Sequence, residues 1–260
     1  MIALVNVLFL LAHNDDEYFS SLQISEELRL GNRVLIAYLT HGSIYGVASE
    51  IRIQESMNVL IGLGVNPCEI LMLGYENNIF DGKLCERIVD AYQSLRELVP
   101  VTASIGRVYV MAWEGGHPDH DASHMIGVAF ARVRGLQKQL YEFPAYHAAR
   151  NCLKLSGVMQ LLDGNDDLTS TVPNRIKAFR AFTLALKYKT QRRTFLALLP
   201  GSAFQLLIRG YQTCRLVPEN RDYTKPPHRG KLFYERRFKL SFATFIKDAS
   251  ALYKYIQPTG

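Results

Sequence analysis

Residues 5–11, VNVLFLL, form an apolar run, and residues 12–17, AHNDDE, follow it directly with a group of polar side chains. A short apolar run that ends in polar residues is typical of a buried strand. The next segments carry a helical pattern at 17–30, which Gly31 closes, and a second apolar run at 33–39. Strand, helix and strand in this order predict a βαβ unit with parallel strands.

The same alternation continues through the first half of the chain. We predict further helices at 50–63, 83–99 and 121–133, and further strands at 69–73, 107–112 and 139–143. Alternating strands and helices of these lengths favour an α/β fold in which helices flank a mostly parallel, Rossmann-like sheet. We expect this core to extend to about residue 145.

After Tyr146 the alternation weakens. Residues 175–188 are predicted to be helical, 195–208 are ambiguous, and 223–230 form a loop because they contain Pro226, Pro227 and Gly230. The chain shows no internal repeat, low-complexity tract or linker-like composition. We therefore predict a single domain over residues 1–260, in which residues 146–260 form a C-terminal extension packed on the core.

Charge divides the chain into unequal halves. With 48% hydrophobic residues, the 260-residue chain can bury a large core, which excludes disorder as its main state. Residues 1–130 contain 7 basic and 16 acidic side chains, whereas residues 131–260 contain 23 basic and 8 acidic ones. A basic half indicates an anionic partner, such as a phosphorylated substrate, a membrane surface or nucleic acid, or else a solvated basic surface.

Several common classes of site are not indicated by the sequence. The four cysteines are far apart and form no Cys-x-x-Cys pair, so we predict a reducing, cytoplasmic location without disulfides or a thiolate zinc site. The first apolar run follows no basic residue, and 195–208 is too short to span a bilayer, so neither a signal peptide nor a transmembrane segment is expected. No glycine-rich nucleotide-binding loop is present, so we predict no nucleotide cofactor.

Two polar clusters follow predicted strands. The first is AHNDDE at 12–17, and the second is WEGGHPDH at 113–120. Functional groups collect at the carboxyl ends of parallel strands, so the two clusters can lie side by side. Imidazole and carboxylate donors with one open position are typical of a catalytic zinc site. Helix caps and a hydrogen-bonded loop histidine are the structural alternatives.

The order of residues within each cluster suggests a division of roles. Asp15 and Asp16 are adjacent and cannot point the same way, so one can bind metal while the other faces the water bound to it. His117 and His120 can likewise divide into one ligand and one unligated imidazole.

At these residues the sequence resembles the LmbE-like or PIG-L family of zinc-dependent de-N-acetylases. The family's motif Ala-His-Pro-Asp-Asp-Glu is matched at five of six positions within 12–17, and its motif His-Pro-Asp-His is matched completely at 117–120. Weaker matches lie at 40–42, 52–55 and 63–65, and in the second half only at 188–191. The first motif departs from the family at Asn14, where proline is usual, which leaves this turn with less built-in rigidity.

The resemblance implies a role for each matched residue. It implies that zinc is held by three residues, His13, Asp16 and His120. It also implies that Asp15 is the general base on the zinc-bound water, and that His117 polarises the amide carbonyl while Asp119 orients it. Each role agrees with the chemistry of amide hydrolysis at a metal ion.

Four further residues are candidates for lesser roles. Arg52 is predicted to contact substrate through its guanidinium, the alternative being a solvated helix residue paired with Glu55. Glu17 is expected to cap or brace the first helix. His124, one helical turn after His120, is a candidate additional ligand, and Trp113 is a candidate to stack on a sugar ring or to pack in the core.

The sequence therefore predicts a zinc-dependent hydrolase that removes an N-acetyl group from an N-acetylated amino sugar or sugar conjugate. Phosphorylated and lipid-linked substrates suit the basic half, as does peripheral contact with a membrane. The alternatives are a deacylase of a non-sugar N-acyl metabolite, a non-catalytic metal-binding protein and a nucleic-acid-binding protein. No nucleic acid is expected as a partner, because the sequence contains no such motif, and a homo-oligomer is compatible with the sequence.

Overall fold

The strand that the first apolar run predicted, β1 (Asn6–Leu11), lies in the interior of the sheet in the computed structural model. The structure describes residues 4–43, 48–99, 104–148, 157–162, 168–171 and 175–256. In β1, Val7, Phe9 and Leu11 pack into one hydrophobic layer, while Leu8 and Leu10 pack into the layer on the opposite face. Side chains alternate between faces along a strand, so an uninterrupted apolar run requires a sheet covered on both sides.

Helices alternate with parallel strands through the first half, as predicted. The elements are α1 (Ser21–Arg29), β2 (Arg33–Tyr38), α2 (Ser49–Leu63), β3 (Ile70–Leu71), α3 (Leu73–Glu76), α4 (Ile88–Leu98), β4 (Ile105–Met111), α5 (Pro118–Val133) and β5 (Leu140–Phe143). A 3₁₀ turn at Asp16–Ser20 precedes α1. β1 pairs in parallel with β2 on one side and with β4 on the other. The α/β fold with a mostly parallel sheet is thereby confirmed.

The second half contributes short elements. They are β6 (Tyr146–His147), β7 (Gly157–Val158), β8 (Leu168–Thr171), α6 (Arg175–Thr183), α7 (Arg192–Ala203), β9 (Gln212–Leu216), α8 (Phe233–Arg237), α9 (Phe242–Ala249) and α10 (Tyr253–Ile256). The ambiguous segment 195–208 is helical, since α7 continues into a π-helical turn at Phe204–Arg209. Among the described residues, no helix is long and apolar enough to cross a membrane.

The C-terminal extension does more than pack on the core. The main sheet has the strand order β3-β2-β1-β4-β5-β9-β8, and β9 pairs antiparallel with both β5 and β8. These two strands, LTST and QTCRL, lack the apolar runs of the central strands, which is why the sequence did not predict them.

Two predicted boundaries shift for identifiable reasons. The strand predicted at 69–73 is only Ile70–Leu71, because Leu73 already begins α3. The helix predicted from residue 83 begins at Ile88. The backbone N–H groups of Gly82 and Leu84 donate to the side chain of Asp119. Residues 81–87 therefore form turns that bind this carboxylate, and the helix begins after them.

Candidate metal centre and active site

The two polar clusters meet at the carboxyl ends of β1 and β4, which are neighbours in the sheet. The first cluster leaves β1 and turns into the 3₁₀ turn at Asp16–Ser20. The second leads into α5, with His117 as the N-cap residue in an extended conformation and Pro118 in the first turn. Proline suits this position because its nitrogen has no hydrogen to leave unbonded. Sheet pairing thus brings together residues that are about a hundred positions apart in the chain.

His13, Asp16 and His120 form a buried group of nitrogen and oxygen donors. One ligand atom from each lies within 4.8 Å of the other two. Asp16 Oδ1 is 3.1 Å from His120 Nε2, and Asp16 Oδ2 is 3.4 Å from His13 Nδ1. Burial alone would raise the pKa of Asp16, but the imidazoles of His120 and His13 hold that pKa well below its ordinary value. The carboxylate is therefore ionised and available to a cation.

The carboxylate of Asp119 lies beside His13 rather than His117. Asp119 Oδ2 is 3.0 Å from His13 Nε2 and accepts the N–H of Gly82 at 2.5 Å, whereas it is 3.9 Å from His117 Nδ1. The contact between His117 and Asp119 is instead made by the main chain, since the Asp119 N–H donates to His117 Nδ1 at 3.1 Å. The Asp119 main chain thus holds His117 as a helix N-cap acceptor, and orientation of His117 by the Asp119 carboxylate stays a prediction.

This cap determines which His117 nitrogen can donate. Nδ1 accepts a hydrogen bond, so a neutral ring carries its proton on Nε2. Burial lowers the pKa of His117 well below its ordinary value, and the neighbouring His13 lowers it further. The ring also contacts the ring of Phe238, with centroids 4.7 Å apart. His117 thus presents a neutral N–H donor at the site.

Asp15 adopts a backbone conformation that few residues other than glycine adopt. Its φ is 122° and its ψ is −14°. Such a conformation is costly and persists only where its surroundings hold it. Here the Asp15 N–H donates to Glu17 Oε2 at 3.0 Å, and its carbonyl accepts the N–H of Tyr18 at 3.1 Å. The side chain lies 3.5 Å from Arg52, so Asp15 and Asp16 have different partners, as their adjacency requires.

Burial raises the pKa of Asp15 to about 8, against the opposite effect of Arg52. The two adjacent carboxylates therefore differ sharply in proton affinity. Perturbed and opposed pKa values in a buried pair are typical of functional sites.

Arg52 is buried and bound to the loops around the site. Its Nη1 donates to Asp81 Oδ2 at 2.6 Å and to the Gly42 carbonyl at 3.0 Å, and its Nη2 donates to the Asn14 carbonyl at 2.7 Å. The alternative of a solvated residue paired with Glu55 is wrong, since Glu55 accepts hydrogen bonds from Thr190 instead. Direct contact between Arg52 and substrate stays a prediction.

Glu17 links the first motif to the C-terminal half. Besides the Asp15 N–H, it accepts the Tyr38 hydroxyl at 2.8 Å and the Tyr188 hydroxyl at 2.9 Å. These bonds brace the turn that contains Asp15 rather than the first helix.

The turn is also held at the residue that departs from the family. Asn14 is 2% exposed, and its Nδ2 lies 3.7 Å from the sulfur of Met72. Contacts therefore fix a turn that lacks the stiffening proline.

Two residues considered from the sequence lie away from the site. His124 Nδ1 bonds to the Met111 carbonyl at 2.8 Å and Nε2 to the Tyr223 hydroxyl at 2.9 Å, so His124 belongs to a separate buried network. Trp113 is 5% exposed and packs against Tyr223 and Phe242, which assigns it to the core.

Three residues near the site were not singled out from the sequence. Asp81 binds Arg52, the ring of Tyr146 lies 5.5 Å from that of His120, and the ring of Phe238 contacts His117. None of them lies within a motif. The only signal in the sequence was that Tyr146 follows closely on the last predicted strand of the core.

Comparison with known families and structures agrees with this architecture. Residues 8–131 match the family model described as PIG-L, GlcNAc-PI de-N-acetylase. This segment contains both motifs and all the residues of the candidate metal group. No curated protein matches the chain.

Solved structures match over most of the chain at low sequence identity. A conserved protein from Thermus thermophilus is 19% identical with a TM-score of 0.56, over 84% of this chain and 100% of the other. A zinc-inhibited form of teicoplanin deacetylase is 14% identical with a TM-score of 0.54, over 81% and 97%. The N,N'-diacetylchitobiose deacetylase from Pyrococcus horikoshii is 17% identical with a TM-score of 0.51, over 82% and 84%. At these identities the likeness establishes the fold.

Proposed function

Because residues 8–131 match the model of the PIG-L family, we propose that the protein is a zinc-dependent hydrolase that removes the acetyl group from an N-acetylated amino sugar or its conjugate. The observation that carries this proposal is the convergence of His13, Asp16 and His120 in one buried donor group beside Asp15 and His117. A cytoplasmic location remains a prediction from the cysteine pattern.

The residues present fit a divalent metal ion. Two imidazoles and one carboxylate form the type of donor set that catalytic zinc sites use. The three residues are buried, and their ligand atoms lie within 4.8 Å of one another, close enough to share one ion. When bound, a divalent ion would supply Lewis-acid polarisation and lower the pKa of water.

In the proposed reaction Asp15 moves the proton. Its carboxylate takes a proton from the attacking water, whose oxygen forms the new bond to the acyl carbon. A cation at the neighbouring donor group favours the ionised form of Asp15, against the burial that raises its pKa. The same proton then passes to the nitrogen as the C–N bond breaks, which gives a free amine and acetic acid, and the acid ionises to acetate at neutral pH.

His117 stabilises the charge that develops on the carbonyl oxygen. Its Nδ1 is occupied by the Asp119 N–H, so Nε2–H is the donor that it can offer. A fixed N–H donor in a buried site stabilises an oxyanion without reorganisation during the reaction. Asp119 supports this arrangement through its main chain, and through its side chain it holds His13.

Support for the substrate class comes from the comparisons. The matching family is described by an N-acetylglucosamine-containing lipid, and one structural neighbour is a diacetylchitobiose deacetylase. A non-sugar N-acyl metabolite is the alternative substrate. The zinc-inhibited form of teicoplanin deacetylase supports an affinity of this fold for zinc, and it also requires that metal be titrated in the assay rather than added in excess.

The test is acetate release from N-acetylated sugars that are free, phosphorylated or lipid-linked, with a panel of N-acyl amino acids as the non-sugar arm. The metal-stripped protein is titrated with Zn²⁺, Co²⁺ or Mn²⁺, and Asp15→Asn is the inactive control. Release from sugars that depends on metal and on Asp15 supports the proposal. Release from the amino acids alone would reassign the substrate, and no release from any compound would overturn the function.

A further inference from the structure

The segment 175–209 combines positive charge with exposed apolar side chains. Residues 175–209 contain eight Lys or Arg residues, and no Asp or Glu occurs between residues 168 and 218. All eight side chains are exposed. They are Arg175, Lys177, Arg180, Lys187, Lys189, Arg192, Arg193 and Arg209. We name this surface, together with the apolar side chains described next, the basic apolar face.

Large apolar side chains are exposed among these cations. The exposed fraction of the side chain reaches 77% at Leu186 and 70% at Ile208. The members of this apolar set are Ile176, Phe179, Leu186, Leu196, Leu199, Phe204 and Ile208. Single exposed apolar residues are ordinary on a soluble protein, but a concentration of them on adjoining helices marks an interaction surface.

The packing of the segment shows that these apolar side chains are not needed for the core. Helix α6 buries Ala178 and Ala181, and α7 buries Phe195. The turn between them is attached to the site, since the Tyr188 hydroxyl donates to Glu17. The segment is thus packed against the core through its buried residues, while apolar residues such as Leu186 and Ile208 stay exposed.

We propose that the basic apolar face docks the protein peripherally on an anionic membrane surface. Amphipathic helices that lie in the membrane interface combine apolar side chains with Lys and Arg, because the former enter the acyl boundary while the latter reach anionic headgroups. Long basic side chains can do both, since their stems are apolar. A second copy of the chain is a poor partner for this face, because eight cations would meet eight cations with no acidic residue between 168 and 218.

The test is co-sedimentation of the full chain with vesicles of phosphatidylcholine, with and without phosphatidylserine. The protein should bind the vesicles that contain phosphatidylserine and bind the neutral vesicles far more weakly. The double variant Leu186→Ser/Ile208→Ser should reduce binding by about tenfold or more, since both side chains are largely exposed and their loss leaves the core intact. Arg192→Gln/Arg193→Gln should reduce it by a similar factor.

Matched controls distinguish binding through this face from nonspecific hydrophobic adsorption to the vesicles. Leu98 and Ile61 are also exposed apolar residues but lie outside the segment, so Leu98→Ser/Ile61→Ser should bind vesicles like the unaltered protein. The proposal is overturned if no vesicle is bound, or if Leu186→Ser/Ile208→Ser binds normally. Charge-dependent binding that ignores the apolar variant would assign the face to an acidic protein or polyanion.

Docking and catalysis can be tested apart. The Asp15→Asn variant should bind vesicles normally while it releases no acetate. Vesicle binding without deacetylation by the unaltered protein would leave the docking proposal standing and overturn the proposed function. The reverse outcome would leave a deacetylase without a membrane surface.

Discussion

Asp15 and Asp16 are neighbours in the chain with opposite surroundings. The backbone conformation at Asp15, with φ at 122°, sends the two side chains to different partners: Arg52 for Asp15, and His13 and His120 for Asp16. Their pKa values shift in opposite directions as a result. The motif contains two adjacent Asp residues with the same side chain. The backbone conformation at Asp15 gives the two carboxyl groups different partners and therefore different pKa values.

This difference predicts that substitution of Asp16 impairs metal binding, whereas substitution of Asp15 impairs turnover. Asp16→Asn should lose bound metal, because one of three proposed ligands is no longer an anion. Asp15→Asn should retain metal while turnover falls roughly 100- to 10,000-fold, the usual contribution of a positioned acid or base. Metal content by elemental analysis beside acetate release checks both. Equal metal loss in the two variants would contradict the assignment.

Arg52 supports a prediction that separates positioning from substrate binding. Its guanidinium donates to the carbonyls of Gly42 and Asn14 and to Asp81, and lysine cannot reproduce that fork. Arg52→Lys should therefore lower kcat by about 10- to 100-fold through displacement of the Asp15 turn, with little change in KM. Gln54→Ala, an exposed change on the same helix, is the control. An increase in KM with unchanged kcat would instead establish Arg52 as a substrate contact.

The sequence shows the candidate ligands but not what holds them. His13, Asp16 and His120 could be found because each motif is a short contiguous signature at a strand end. Asp81 could not, because its contact with Arg52 joins residues 29 positions apart and no local pattern records it. The contact between Asp119 and His13 could not be predicted for a related reason: the order His117, Pro118, Asp119 does not reveal that the carboxylate reaches across to His13.

At the level of elements, a network of ion pairs joins the parallel part of the sheet, at β5, to the antiparallel strand β9. Glu142 on β5 accepts hydrogen bonds from Arg215 on β9 at 2.7 Å and from Arg221 in the following loop at 2.5 and 2.6 Å. Glu142 and Arg215 are opposite each other in the antiparallel pair of strands. Glu142 thus helps to hold β9 in the sheet. Hydropathy did not predict β9 because the strand is held by an ion pair through Arg215 rather than by a run of apolar side chains.

Glu142→Gln should destabilise the protein in a pH-dependent way. Burial would raise the pKa of Glu142, but Arg221 and the other cations lower it to about 2, below the value of about 4.3 expected in the unfolded chain. The ionised form therefore stabilises the fold above about pH 4.3, and this contribution is lost as the pH falls towards 2. We expect a loss of about 3–5 kcal/mol at pH 7, since the half-buried Arg215 and Arg221 lose the buried anion that they share.

Urea unfolding at a series of pH values measures this loss. The difference between Glu142→Gln and the unaltered protein should shrink as the pH is lowered from neutrality. Glu86→Gln, which alters an exposed pair with Lys83, should unfold like the unaltered protein throughout. A difference that is constant with pH would show that the network stabilises by packing rather than by charge.

At the scale of the whole molecule, the side chain of Trp113 is a probe of the packing between the α/β core and the C-terminal helices. Trp113 is the only tryptophan of the chain and lies between β4 and α5. Its ring packs against those of Tyr223, Phe242 and Phe245. Its fluorescence therefore responds when the C-terminal helices leave the α/β core.

The prediction of a single domain can be tested with this residue. Because β9 is part of the sheet and the C-terminal helices pack around Trp113, fluorescence and far-UV circular dichroism should report one coincident unfolding transition. A fluorescence change that precedes the loss of helix signal would instead show that residues 146–260 unfold separately from the core.

The bond between Glu17 and Tyr188 also has a consequence for synthesis. The two residues are 171 positions apart, so a ribosome that adds about 5–20 residues per second makes Tyr188 roughly 9–34 s after Glu17. During that interval the Asp15 turn lacks the hydroxyl that helps to fix its brace. The turn that holds Asp15 therefore acquires one of its bonds only after most of the second half of the chain has been made.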